Sequence, residues 1–263
     1  MTEQAWSARD LIVVAAARRL AAARTCFAGI GLPSAAAILA QRTHAPSIYL
    51  VFESGVLGAR PGDLPLSVAD QELADTAQAI VSVPEIFAYW LQPGRIDVGM
   101  LGAAQVDRFG NINSTVIGPY ESPKVRLPGA GGAPEIAAAC RETVVLVEHG
   151  RRSLVADVDF VTTVGSGPEP GTRAALGFRG AGPRAVVTDL AMLELDPSTM
   201  ELTVTGLQPG VGLEEVREAT GWPVRTAPRV TTLDPPTAAE LTTLRALERP
   251  VGGTNQASRS DRA

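Results

Sequence analysis

Few residues in this 263-residue chain suit a metal, a disulfide or a nucleic acid. It has two cysteines, Cys26 and Cys140, and two histidines, His44 and His149. None has a neighbour of the other kind at metal-ligand spacing, so no metal site is expected. Two distant cysteines in so long a chain read as small buried hydrophobes in a reducing compartment. The net charge of −5 excludes the basic footprint of a nucleic-acid binder. Long hydrophobic runs are also missing. LIVVAAA near the start is too short to span a bilayer. Glu3 and Asp10 flank it where a signal peptide carries basic residues, so a cytoplasmic chain with no membrane partner is expected. Lysine is almost absent: Lys124 is the only one among 23 basic residues. It is either a chance survivor or a place where a compact ammonium is needed.

What is present is a soluble, globular composition, 45% hydrophobic and 19% charged. Short β-rich runs alternate with alanine-rich helical ones. Ser7 and Asp10 have the spacing of a capping box opening a helix to about Ala22. Further helices are predicted over 34–42, 84–91, 134–140, 212–220 and 236–248. Strands are predicted over 25–29, 47–53, 96–101, 143–148, 159–164, 185–189 and 201–205. SIYLVFE (47–53) is continuously apolar up to its last residue, as in a central strand covered on both faces. The alternation implies an α/β fold, a mainly parallel sheet with helices on both sides. Residues 249–263 are small and polar and read as a disordered tail after one domain over 1–248.

Three segments could carry chemistry. Glu53 ends the apolar strand and precedes Ser54-Gly55-Val56-Leu57-Gly58. Ligands of parallel sheets sit beyond the carboxyl ends of strands, and the glycines permit a sharp turn and close approach. A structural carboxylate paired with an arginine would look the same. LPGAGGAPE (127–135) runs glycines into a helix with Pro134 at its first turn. Its free N–H groups suit an anion or oxyanion, and a plain tight turn fits equally. Gly29 and Gly31 have the same two readings. In GAAQVDRFGNINS (102–114), Gln105, Asn111 and Asn113 either hydrogen-bond a substrate or close a hairpin.

Together these segments resemble a known family. Glu53-Ser54-Gly55-Val56-Leu57-Gly58 is similar to the E-x-G-x-x-G motif around the catalytic glutamate of class I CoA transferases. GAAQVDRFGNINS, LPGAGGAPE, GPRAVVTDLAMLE (182–194) and QPGVGLEEVREATGWPV (208–224) resemble later blocks of the family's β subunits, in the same order. The likeness covers residues 8–248 and points to the glutaconate CoA-transferase-like branch. It implies a three-layer α/β/α fold and Glu53 as a nucleophile that carries CoA. It implies backbone donors at Gly131 and Gly132, and substrate or CoA contacts drawn from Gly29, Gly31, Ser54, Gly55, Gln105, Asn111, Asn113, Lys124 and Arg126. A coenzyme A thioester is then substrate, and no permanently bound cofactor is expected. The family's α half has a glycine signature absent here, so an α-subunit partner is expected, as α2β2. Succinyl-CoA and 3-oxoadipate are the expected donor and acceptor. The alternative, an acyl-CoA hydrolase or decarboxylase on the same scaffold, is disfavoured by Glu53, which those branch members lack.

Overall fold

The computed structural model describes residues 6–248; the 249–263 segment lies outside them. In chain order the first half comprises α1 (Ala8–Arg19), β1 (Thr25–Ala28), α2 (Leu32–Arg42), β2 (Tyr49–Val51), β3 (Val56–Leu57), α3 (Gln71–Asp75), β4 (Ala79–Ile80) and α4 (Val83–Glu85). A π-helical turn, Ile86–Leu91, continues α4. Then come β5 (Val98–Gly102), two small hairpins of β6 (Gln105–Val106) with β7 (Ile112–Asn113) and β8 (Val116–Ile117) with β9 (Val125–Arg126), and α5 (Ala133–Ala139). The last part holds β10 (Glu142–Leu146), α6 (Thr172–Ala175), β11 (Pro183–Val187), β12 (Ala191–Leu195), β13 (Leu202–Leu207), α7 (Leu213–Ala219), β14 (Arg225–Thr232) and α8 (Ala238–Leu247).

Ten strands form one sheet in the order β14-β13-β12-β11-β10-β5-β1-β2-β3-β4. The middle five, β11-β10-β5-β1-β2, are parallel, and both flanks turn antiparallel. After β1 the chain moves outward to β2, then returns to the other side of β1 as β5. Such a reversal opens a crevice at the carboxyl ends of the strands, where ligands of open α/β sheets bind.

Helices cover both faces, which makes the three-layer α/β/α architecture. On one side Ile12, Val13, Leu20, Ile38 and Leu39 of the α1–α2 region join Leu50, Phe52 and Met100 in a core that reaches Leu244 of α8. Alanines at 16, 17, 35, 36, 37 and 40, all fully buried, let α1 and α2 approach closely. On the other side Ile86, Leu91, Ile136 and Val216 pack with Phe27, Val51 and Val145. Strands sandwiched this way must be apolar on both faces, which is why SIYLVFE reads as it does.

The capping box is present: the Asp10 amide donates to Ser7 Oγ at 3.2 Å and the Ser7 amide to Asp10 Oδ2 at 2.8 Å. α1 nevertheless stops at Arg19, three residues short of the expected end. The predicted strand at 159–164 does not form. Asp159 turns inward to accept the Gly118 amide and Gln105 Nε2, and only Thr163 bridges to Ile112. The 84–91 helix changes to π-helix at Ile86. β3, β4, β12 and β14 were not anticipated. The first two are too short to show a period, β12 runs antiparallel between β11 and β13, and β14 is an edge strand parallel to β13.

Candidate active site

The Glu53 carboxylate stands at the tip of the β2–β3 hairpin. β2 ends at Val51, two residues earlier than the apolar run suggested. The Phe52 amide then donates to Val56 O at 3.0 Å and the Gly55 amide to Phe52 O at 3.1 Å, so Glu53 and Ser54 sit in the bend. Gly55 has φ +98°, and a Cβ there would lie 2.0 Å from the Val81 carbonyl oxygen. Only glycine fits, because both the left-handed backbone and the packed neighbouring chain forbid a side chain. The Val81 amide in turn donates to Gly55 O at 2.9 Å, tying the chain before α4 to the Glu53 turn.

The LPGAGG loop comes to the same place. A Cβ on Gly131 would lie 3.8 and 3.9 Å from the two Glu53 carboxylate oxygens, and one on Gly132 would lie 3.3 Å from Glu53 Cδ. Segments 78 residues apart therefore meet at one carboxylate. The loop is held by Ser114, whose carbonyl accepts the Gly129 amide at 2.8 Å and whose Oγ donates to Gly129 O at 2.8 Å. Gly132 then caps α5, with Pro134 in its first turn. Glu53 is half-buried, and among the described residues no side chain forms a hydrogen bond or ion pair with its carboxylate. Two buried carboxylates are ion-paired: Asp10 with Arg245, and Glu240 with Arg18 and His44. Glu53 differs.

Gly29 and Gly31 follow β1, the strand beside β2. The Gly29 amide is committed to Met100 O at 3.0 Å. Gly31 begins α2 with φ +89° and open space around it. Ser54 keeps a buried Oγ with no partner.

The three amides of the 102–114 segment are spent on the protein. Gln105 Nε2 donates to Asp159 at 3.1 Å, and its Oε1 accepts Asn113 Nδ2 at 2.7 Å and the Asp159 amide at 3.0 Å. Asn113 is fully buried. Asn111 Nδ2 donates to Asp107 at 2.8 Å, and its Oδ1 accepts the Gly165 amide at 2.8 Å. Burial raises the Asp107 carboxyl, and hydrogen bonds from Asn111 and Phe109 hold it down in part. Here these groups close hairpins, and a substrate contact from any of them is a proposal. Arg126 is also engaged, its guanidinium 4.9 Å from the Tyr120 ring centroid and donating to Tyr120 O at 3.2 Å. Lys124, on the same β8–β9 hairpin, is exposed and has no side-chain partner among the described residues.

One residue at the site was not legible in the sequence. Phe87, from the π-helical turn, places Cζ 2.9 Å and Cε1 3.2 Å from the position a Gly132 Cβ would take. No motif marks it, because the π-turn that aims it has no simple period. No group of three or more metal-ligating side chains occurs among the described residues, and no described helix is long and apolar enough to cross a membrane.

The same segments appear in known proteins. The chain is 54% identical over 244 residues to the B-type subunit of 3-oxoadipate CoA-transferase from Pseudomonas knackmussii, covering 93% of this chain and 94% of that one. It is 33% identical over 220 residues to the B-type subunit of glutaconate CoA-transferase from Acidaminococcus fermentans, covering 81% and 82%. The crystal structure of glutaconate coenzyme A-transferase from that organism superposes with a TM-score of 0.86 at 29% identity, covering 94% of this chain and 96% of that one. The family model described as coenzyme A transferase matches residues 9–219, a span that takes in the Glu53 hairpin and the glycine loop set against it, and the chain belongs to that family of enzymes.

Proposed function

We propose that this chain is the glutamate-bearing subunit of a transferase that moves CoA from succinyl-CoA to 3-oxoadipate, working in the cytoplasm with a separate α subunit as α2β2. The names of the relatives support the acceptor and the partner: the protein sharing 54% of its sequence is one of the subunits of a 3-oxoadipate CoA-transferase. The observation that carries the chemistry is the unpaired Glu53 carboxylate against Gly131 and Gly132.

Each step follows from a carboxylate in that position. A Glu53 oxygen attacks the donor thioester carbonyl, the C–S bond breaks, CoA leaves as thiolate, and a mixed anhydride of Glu53 and the donor acid remains. The thiolate attacks the glutamyl carbonyl, the anhydride C–O bond breaks, and the donor acid leaves as carboxylate. The resulting glutamyl–CoA thioester is attacked by the acceptor carboxylate, and the same two steps run in reverse. No proton is consumed, so no general acid or base is required, and the absence of a histidine from the hairpin–loop junction costs nothing. Covalent catalysis divides one hard exchange into near-balanced steps. Negative charge gathers on a carbonyl oxygen in each, and the amides of Gly131 and Gly132 are assigned to it.

The test is to give the assembled enzyme donor acyl-CoA alone and reduce with borohydride. The thioester carbonyl of a glutamyl–CoA is converted to an alcohol, and the peptide containing Glu53 is expected to carry it. Transfer activity retained in Glu53→Ala refutes the assignment.

A further inference from the structure

We propose that the Phe87 ring is the apolar wall that keeps water from the Glu53-bound acyl group, so that it sets the balance between transfer and hydrolysis. This rests on the glutamyl mechanism proposed above.

The geometry starts with the π-helical turn. The Gln92 amide donates to Phe87 O at 2.9 Å and the Arg95 amide to Trp90 O at 3.2 Å, both five residues back. Ile86 and Leu91, five apart, are both fully buried, whereas Ala88 and Tyr89 face outward. In an α-helix residues five apart point well away from each other; the wider turn aligns them and leaves Phe87 over Gly132. π-turns of this kind are rare and concentrate at functional sites.

The turn is anchored twice to the unit that carries Glu53. Before it, the Val81 amide bonds Gly55 O, and Ser82 and Glu85 form a capping box. Near its end, Trp90 stacks on Tyr49, the first residue of β2, with centroids 5.7 Å apart and planes 8° apart. Between these anchors the Phe87 ring lies tilted against Phe27, centroids 6.5 Å apart, and its edge and the Glu53 carboxyl carbon lie within 3.3 Å of one point. Phe87 is only half-buried. It packs against the edge of the core on one side and reaches the Gly132 position on the other.

A mixed anhydride or a glutamyl thioester is open to water as well as to its intended partners. Water attacking an anhydride carbonyl breaks a C–O bond and gives the donor carboxylate, the Glu53 carboxylate and two protons; water attacking the glutamyl thioester carbonyl breaks the C–S bond and gives the Glu53 carboxylate, CoA as thiol and one proton. An aromatic edge offers water no hydrogen bond, so it leaves no ordered water in line with that carbonyl.

The experiment uses the assembled α/β enzyme and reads two rates: thiol released from succinyl-CoA without acceptor, and new acyl-CoA formed with acceptor. Phe87→Ala is expected to raise the ratio of hydrolysis to transfer by about tenfold. Phe87→Leu, which keeps an apolar side chain there, is expected to stay within about twofold of the native ratio. Phe87→Val, intermediate in size, is read if Phe87→Ala fails to assemble. A ratio within twofold of native in the smaller variant, with assembly intact, overturns the proposal. So does hydrolysis that survives in Glu53→Ala/Phe87→Ala, because water would then be attacking the donor directly. A native enzyme that releases thiol and never forms new acyl-CoA instead refutes the transferase reading.

Discussion

Gly132→Ala separates room from backbone conformation at the site. Gly132 has φ −82° and ψ 0°, which any residue adopts, so alanine brings no backbone strain. It does bring a methyl group 2.9 Å from Phe87 Cζ and 3.3 Å from Glu53 Cδ. Carbons rest about 3.5–4.0 Å apart, so ring and carboxylate must both retreat by several tenths of an ångström. Overpacking of this kind costs about 1–3 kcal/mol, and a nucleophile displaced by about 1 Å can lose about 100-fold in rate. We expect kcat/KM for CoA transfer to fall by about 30–100-fold. Gly131→Ala is the counterpart. Its φ is +48° and its new methyl would clear the Glu53 oxygens by 3.8 Å. The cost there is a left-handed backbone, about 1–2 kcal/mol, expected as a Tm lower by about 2–8 °C. The assay is steady-state transfer by the assembled enzyme beside thermal melts. In Gly132→Ala/Phe87→Leu the ring atoms that meet the new methyl are gone, so part of the activity returns. Native kcat/KM in Gly132→Ala refutes the claim that this loop positions the carboxylate.

Lys124→Ala is expected to lower kcat/KM for a dicarboxylic acceptor while sparing a monocarboxylic one, because the distal carboxylate needs a local cation in a chain of net charge −5; equal losses for 3-oxoadipate and acetoacetate exclude that role. Burial pushes the His149 imidazole down from the usual 6.5 to about 4, against an opposing pull from Asp189. The unfolded chain therefore takes up this proton first as pH falls, so the stability owed to a neutral His149 is complete above pH 6.5 and is lost as pH falls toward 4. Across that window the stability of the native protein should fall more steeply with acid than that of His149→Gln, and parallel melting curves would show that folding does not shift this titration. Arg173 is buried without a carboxylate partner, its guanidinium donating to the carbonyls of Ala137, Val164, Gly165 and Gly180, and burial lowers it to about 10. A lysine cannot span four carbonyls, so Arg173→Lys leaves buried acceptors unpaired at about 1–3 kcal/mol each; a urea midpoint equal to native would contradict this.

Much of this protein is local and therefore legible in the chain. Continuous apolarity from Ile48 to Phe52 marks a strand covered on both faces, and Ser7 with Asp10 marks where α1 begins. Glycines at 55 and 131 mark backbone conformations that L side chains avoid, and they flank a carboxylate that nothing among the described residues neutralises. The coenzyme A transferase blocks are long enough that their order alone carried the family.

Tertiary structure decided the rest, because the deciding contacts join distant segments. Glu53 and Gly131–Gly132 lie 78 residues apart with β3, β4 and β5 of the sheet between them, and only the return of the chain beside β1 brings them together. Whether Gln105, Asn111 and Asn113 face a ligand or the protein depended on Asp159 and Gly165, some 54 residues from Gln105 and Asn111. Nothing in the sequence showed that Arg126 packs on the Tyr120 ring, six residues before it. Phe87 had no signature at all: a π-turn shifts the register by one residue without changing the composition, and a side chain that reads as core is turned toward the nucleophile.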